Sequence, residues 1–208
     1  MQCSSKIFKI FLSVTLFAIA VVPSFASEEL TFTGGSLEDS VNNKTIGWSF
    51  SVNSALKLTD LSWYDPTGTH RFDRLVGIWD SNGNLVVSTC VGPRCGSTYD
   101  SGFWVTSATA DLPVGTYVIG GYVRANGDDP FDLGNPRIKT DPRITWTEAL
   151  FTVSRSFTEP MKHCCGNGFF GPDFIVQGAQ TPEPASLVLA VLGLGLTGVS
   201  RRLRAWRH

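Results

Sequence analysis

Four cysteines and a histidine have the most chemistry to offer in this sequence. Cys90 and Cys95 form one cluster; His163, Cys164 and Cys165 form another. Thiolates and imidazole are soft ligands that suit zinc, but two ligands adjacent in the chain fit a tetrahedral site badly. In an oxidising compartment the same four thiols favour two disulfides, from three possible connectivities. Cross-links between the clusters are the favoured pairing, because a Cys164 to Cys165 bridge would be strained; Cys90 with Cys95 can also close a small loop around Gly92-Pro93-Arg94. A second set is acidic. Asp128, Asp129 and Asp132, with Asp141, offer hard oxygens to a calcium ion but lack EF-hand spacing. Two carboxylates facing across a cleft would serve glycoside hydrolysis, yet nothing in the spacing places these acids so. His70 and His163 stand beside no Gly-x-Ser-x-Gly nucleophile motif. The expectation is a protein that is not an enzyme and has no resident cofactor, with calcium as a candidate ion and zinc as the alternative to the disulfides. Tryptophans complete the set. Trp104 and Trp146 are the candidate exposed rings that could stack on sugars, whereas Trp48, Phe50 and Trp79 are expected to face the core.

The elements that must hold these residues read as β. Ile46, Trp48, Phe50 and Val52 alternate with Gly47, Ser49 and Ser51, a period of two with one apolar face. Leu56, Leu58, Leu61 and Trp63 continue it. Further runs lie at Leu75 to Trp79, Leu85 to Val91, Phe103 to Ala110, Tyr117 to Val123, Ile144 to Val153 and Phe174 to Val176. Turn chemistry separates them: Asp65-Pro66-Thr67-Gly68, Ser81-Asn82-Gly83-Asn84, Pro113-Val114-Gly115 and Asn126-Gly127. Short strands at this spacing, with no helical periodicity before the tail, predict an all-β antiparallel sandwich or jelly roll over residues 27–180.

Both ends differ from this middle. Lys6 and Lys9, the apolar run Ile10 to Val22 and Ser24-Phe25-Ala26 form a signal peptide over residues 1–26, cut by signal peptidase between Ala26 and Ser27. At the other end, residues 181–208 open with Thr181-Pro182-Glu183-Pro184. Ala185 to Ser200 then carries no charge, and Arg201, Arg202, Arg204 and Arg207 follow. Cationic residues are held on the cytoplasmic side of a membrane, so the arginines stay inside and Pro-Glu-Pro sits at the outer face of a transmembrane helix. The prolines keep the tripeptide extended, in a form a processing enzyme can grip. Gly193-Leu194-Gly195-Leu196-Thr197-Gly198 fits the GxGxxG pattern, but no strand-helix-strand unit surrounds it and no acid follows it.

Signal peptide, Pro182-Glu183-Pro184, apolar helix and arginine cluster, in this order, resemble the PEP-CTERM sorting signal of Gram-negative bacteria that make extracellular polysaccharide. The resemblance implies that an exosortase in the inner membrane recognises the tripeptide, cuts near it, and releases the rest to the cell surface or extracellular matrix. Part of the middle is similar to ectodomains of unknown function that recur in such proteins. It does so through Ile46-Gly47-Trp48-Ser49-Phe50-Ser51-Val52, Leu61-Ser62-Trp63-Tyr64-Asp65, Val76-Gly77-Ile78-Trp79-Asp80-Ser81, Gly115 to Tyr122 and Phe170 to Phe174. That similarity implies a β-sandwich and brings no active site.

Charge excludes one partner class. Neither end segment, leader or arginine tail, contains an acid, so all 18 acids fall in residues 27–184; the leader holds two bases and the tail four, which leaves eleven there. A formal charge of about −7 makes nucleic acid a poor partner, because phosphate contacts need clustered Lys and Arg. The expected roles are a surface or matrix protein or, as the alternative, a module that binds extracellular polysaccharide, with an envelope hydrolase a distant third.

Overall fold

Alternation of large apolar and small residues along Ile46–Val52 requires a sheet with one face dry. The computed structural model describes residues 30–33, 36–40, 42–69, 72–125, 127–133, 137–163 and 169–178. Their fifteen strands are β1 (Leu30–Thr33), β2 (Ser36–Ser40), β3 (Lys44–Val52), β4 (Leu56–Tyr64), β5 (Arg74–Asp80), β6 (Leu85–Val91), β7 (Thr98–Asp100), β8 (Phe103–Leu112), β9 (Gly115–Val123), β10 (Gly127–Leu133), β11 (Arg137–Thr140), β12 (Ile144–Val153), β13 (Lys162–His163), β14 (Phe169–Phe170) and β15 (Pro172–Val176). A six-stranded sheet in the order β13-β12-β3-β9-β5-β6 faces a four-stranded sheet in the order β15-β4-β8-β7. Two small pieces, β1-β11 and β14-β10-β2, flank them, and every pairing is antiparallel. The result is sandwich-like, and among the described residues no sheet closes into a barrel.

The core is where the two alternations meet. Ile46, Trp48, Phe50 and Val52 of β3 and Ile119 of β9 lie opposite Leu58, Leu61 and Trp63 of β4 and Phe174 and Val176 of β15, all buried. Trp48 stacks on Phe174 with centroids 5.8 Å apart, and its indole N–H donates to the Pro172 carbonyl at 2.9 Å. Burying each such side chain contributes about 1.5–3 kcal/mol. Trp63 needs more room than an alternating sheet provides. A Cβ at Gly121 would sit 2.2 Å from its ring, and one at Gly171 would sit 2.8 Å away. Glycine at both positions makes room for the Trp63 ring, at Gly121 against the facing sheet and at Gly171 beside β15 of its own sheet.

Trp79 departs from expectation. It is 5% exposed but belongs to the outer face of the six-stranded sheet, because Val76 and Ile78 take the core side of β5. A segment that follows β12 covers it: Phe157 packs on Trp79 at 4.9 Å, and the Thr158 N–H donates to Thr45 Oγ1 at 3.3 Å. Gly120 leaves the space that Pro160 fills.

Register sorts the turns into two ends. Val52 pairs with Gly115 and Ile144, and Val176 pairs with Leu58. The β3–β4, β8–β9 and β11–β12 turns, with Gln177 after β15, therefore share one end, here the tail end. Tyr64 pairs with Phe103, and Arg74 pairs with Val91. The β4–β5 loop, the β6–β7 loop and the β7–β8 turn share the other, the far end.

Candidate functional site

The far end gathers charge and aromatic rings around Asp65. This residue directly follows β4 and is fully buried. One carboxylate oxygen accepts from the Thr67 N–H (3.1 Å), the Thr67 hydroxyl (2.9 Å) and the Gly68 N–H (2.9 Å). The other accepts from the Trp104 indole N–H at 3.0 Å, and the Asp65 carbonyl accepts from the Tyr99 hydroxyl at 2.8 Å. An Asx turn thus grips two neighbouring strands. Gly68 is required twice over: its φ is +64°, and a Cβ there would meet the Tyr99 ring at 2.8 Å. Close by, Arg74 is 2% exposed, its guanidinium lies 4.6 Å over the Trp63 ring, and Nη1 donates to the Phe72 carbonyl at 2.8 Å.

Chemically this cluster positions rather than reacts. Tyr99 leaves 41% of itself open, with its ring 5.2 Å from Trp104, while its hydroxyl turns inward. Burial, and then the charge of Asp65, push the Tyr99 phenol up, so it stays a neutral donor. The open feature is the edge of one tyrosine against a half-buried tryptophan.

The expected tryptophan pair is not assembled. Trp104 and Trp146 are both half-buried and packed against the core, one on β8 and the other opposite Phe50 on β12. Each lies on the inward face of its sheet because its strand partner, Trp63 or Phe50, does. The Trp146 indole N–H is buried without an acceptor among the described residues.

The cysteines also depart from the favoured pairing. Cys90 is bonded to Cys95, with Cα atoms 5.6 Å apart, so the cross-link between clusters does not form. Topology gives the reason. Cys90 lies on β6 and His163 on β13, the opposite edges of the six-stranded sheet, five strand spacings or roughly 24 Å apart. Cys164 directly follows His163, and no disulfide spans such a gap. The same separation keeps His163 out of reach of a metal held by Cys90 and Cys95. His163 is exposed and pairs with Glu148. Cys164 and Cys165 themselves lie outside the described residues.

Nor do the acids converge where described. Asp141 is engaged by Arg143, through Nε at 2.8 Å and Nη2 at 3.0 Å, and these hydrogen bonds hold its carboxyl below the usual range. Asp128, Asp129 and Asp132 belong to β10, a strand where a loop was expected. No group of three or more His, Cys, Asp or Glu suited to a metal ion occurs among the described residues. One acid pair does show opposed shifts. Burial, and then Asp80, push Glu159 up, whereas bonds from Asn84 and Asn82 hold Asp80 down. Opposed carboxylates can divide acid and base roles. Here Asp80 is committed to its own hairpin, accepting from the Asn82 and Asn84 N–H groups at 2.8 and 3.0 Å. A groove of about 470 Å³ lies at the tail end between Ala55, Leu56, Lys57, Asp111, Leu112 and Pro113, and neither acid lines it.

Sequence reasoning read Asp65-Pro66-Thr67-Gly68 only as a turn and passed over Tyr99 and Arg74. An aspartate two residues before a threonine was the available signal, since that spacing makes an Asx turn. The expected signal peptide with Ala26 and Ser27, the expected transmembrane helix, Pro182, Glu183, Pro184 and the four tail arginines all lie outside the described residues.

Comparison with known proteins finds a PEP-CTERM protein-sorting motif at residues 180–205. The match takes in Pro182-Glu183-Pro184, the apolar run and three of the four arginines. No curated protein matches the chain. The sorting motif and the all-β core fit an exported, surface-destined protein that an exosortase handles at its C-terminus.

Proposed function

We propose that the chain is a non-enzymatic surface or matrix protein of a Gram-negative bacterium, held in the inner membrane by residues 185–200 until an exosortase cuts near Pro182-Glu183-Pro184. The sorting motif at residues 180–205 carries this reading. The sandwich agrees with it, for the buried Asp65 is spent on loop geometry, the buried Asp173 accepts from the Leu30 and Phe174 N–H groups, and the Cys90–Cys95 bridge suits an oxidising compartment. Mass spectrometry of the secreted form in an exosortase-bearing host tests it. The mature protein should end near Pro182 to Pro184, and Glu183→Ala should leave it in the membrane fraction. A secreted species still containing Arg201 to His208 overturns the reading.

A second reading is a module for extracellular polysaccharide, favoured by the open Tyr99 edge beside Trp104. Stacking of a sugar there should be lost in Tyr99→Ala and kept in Tyr99→Phe, read by glycan-array binding. Equal glycan binding by both variants removes that site.

A further inference from the structure

We propose that in the uncut precursor the tail end of the sandwich faces the lipid surface, with the β8–β9 turn as its contact tip, and that the Tyr99–Trp104 edge is thereby held outward. The inference rests on the sorting reading, which makes residues 185–200 membrane-spanning. Its starting point is the last described stretch of the sandwich. The Gln177 N–H donates to the Lys57 carbonyl at 2.8 Å, and the Gln177 carbonyl accepts from Arg143 Nη1 at 3.2 Å. The chain is thus fixed to the tail end up to that residue. Ala185, where the apolar run begins, is eight residue steps beyond Gln177. Fully extended they reach about 28 Å, no more. A nine-residue strand such as β3 is itself about 30 Å long, so in an upright domain the far end stands about twice as far from the lipid.

The tail end suits that position. Val114 is 67% exposed at the tip of the β8–β9 turn, next to Pro113. Behind it the groove presents Ala55, Leu56 and Leu112. Lys57 stands with Asp111 at the groove and Arg143 is paired with Asp141, while Asp80 and Glu159 at the neighbouring β5–β6 hairpin add negative charge. Without a surplus of cations, the contact is set by the tether and an apolar tip, so added salt should not release it.

Photo-crosslinking tests this in the precursor, made without exosortase and reconstituted into vesicles of phosphatidylethanolamine and phosphatidylglycerol. A benzoylphenylalanine replaces Val114 in one sample and Arg94, an exposed residue of the far-end β6–β7 loop, in another. Phospholipid adducts should be several-fold more abundant at position 114, at low and high salt alike. Inserting a long Gly/Ser stretch after Gly178 should bring the two positions towards equality. Equal or greater adduct at position 94, in a protein that resists alkaline extraction, overturns the orientation and leaves the sorting reading standing. Extraction of the precursor by alkali overturns the membrane anchor and the orientation with it.

Discussion

Replacing Gly121 with alanine asks Trp63 to move when it has nowhere to go. The new methyl carbon would lie 2.2 Å from Cζ3 and 2.9 Å from Cε3 of the indole. Carbon atoms prefer about 3.5–4.0 Å, so the ring must retreat by more than about 1 Å. Retreat is blocked on the other side: the ring lies against the Gly171 backbone and under the Arg74 guanidinium, and Trp63 is fully buried. Overpacking typically costs about 1–3 kcal/mol, and a site closed on both sides belongs at the top of that range. In a domain of this size 1 kcal/mol shifts Tm by about 2–4 °C, which gives a fall of about 6–12 °C. The control is Gly115→Ala, where the added carbon meets Tyr117 atoms at an ordinary 3.6–3.8 Å. Alanine in a strand then gains up to about 1 kcal/mol over glycine. Thermal and urea unfolding of residues 27–180 would read both variants. Adding Trp63→Phe to Gly121→Ala should recover part of the loss, since the smaller ring vacates the contested volume. A Gly121→Ala protein that melts as high as Gly115→Ala would refute the packing of the two sheets through Trp63.

Three further outcomes are expected. Trp48→Ala should cost about 3–5 kcal/mol, through lost packing and the lost bond to Pro172, whereas Trp146→Ala, at a half-buried ring without an acceptor, should cost less; denaturant titration decides. In the exported protein Cys90 and Cys95 should resist alkylation until reduced, and Cys90→Ser should lower stability by about 2 kcal/mol, as expected for a small closed loop. The third concerns pH. The folded state holds Glu159 above its usual range, so that group favours folding when protonated, and its contribution is lost as pH rises through the folded pKa. Asp80 is held low, so its contribution is present above the ordinary aspartate range and lost as pH falls through the folded pKa. Glu159→Gln should therefore raise Tm at neutral pH, with the gain shrinking in acid; a gain independent of pH would refute the assignment.

The long strands were legible because their side chains report which face is dry. β3, β4, β8, β9 and β12 alternate over nine or ten residues, and the structure returns them within a few residues of their expected bounds. β10 was not legible, since Gly-Asp-Asp-Pro-Phe-Asp-Leu has the composition of a turn and becomes a strand through pairing with β2 and β14. Trp79 was misplaced for a related reason. Leu-Val-Gly-Ile-Trp is nearly continuous in apolar character, so period-two reasoning had no polar residue to set the phase. Only the later segment with Phe157 and Pro160, far away in sequence, makes the outer face a buried one. The cysteine pairing failed on topology: nothing local places β6 and β13 at opposite edges of one sheet.

Asp65 and Arg74 at the far end, with Asp173 on β15, raise the question of why a small sandwich buries charge. Removing ions from water costs several kcal/mol each, and well-packed apolar residues would often be as stable. What the charges give instead is position. One carboxylate fixes the β4–β5 loop through Thr67 and Gly68 and fixes β8 through Trp104, while its own carbonyl fixes Tyr99 on β7. Apolar contacts could not set these three elements in register, because they have no direction. In the proposed tethered state this is the end turned away from the lipid. The simpler turns, built from Pro113-Val114 and Asn53-Ser54-Ala55, lie at the end the tether holds close. A rigid outward edge carrying an exposed tyrosine is therefore where the protein would meet a polysaccharide or a neighbouring matrix component. Asp65→Asn tests that division of labour. It keeps the shape but replaces one of two accepting oxygens with an NH2 that can only donate, so it should loosen Tyr99 and Trp104, read as a blue-shift or loss of near-ultraviolet aromatic dichroism, without altering release at Glu183. Impaired release in a variant that still folds would show that the far end takes part in processing, against the orientation inferred above.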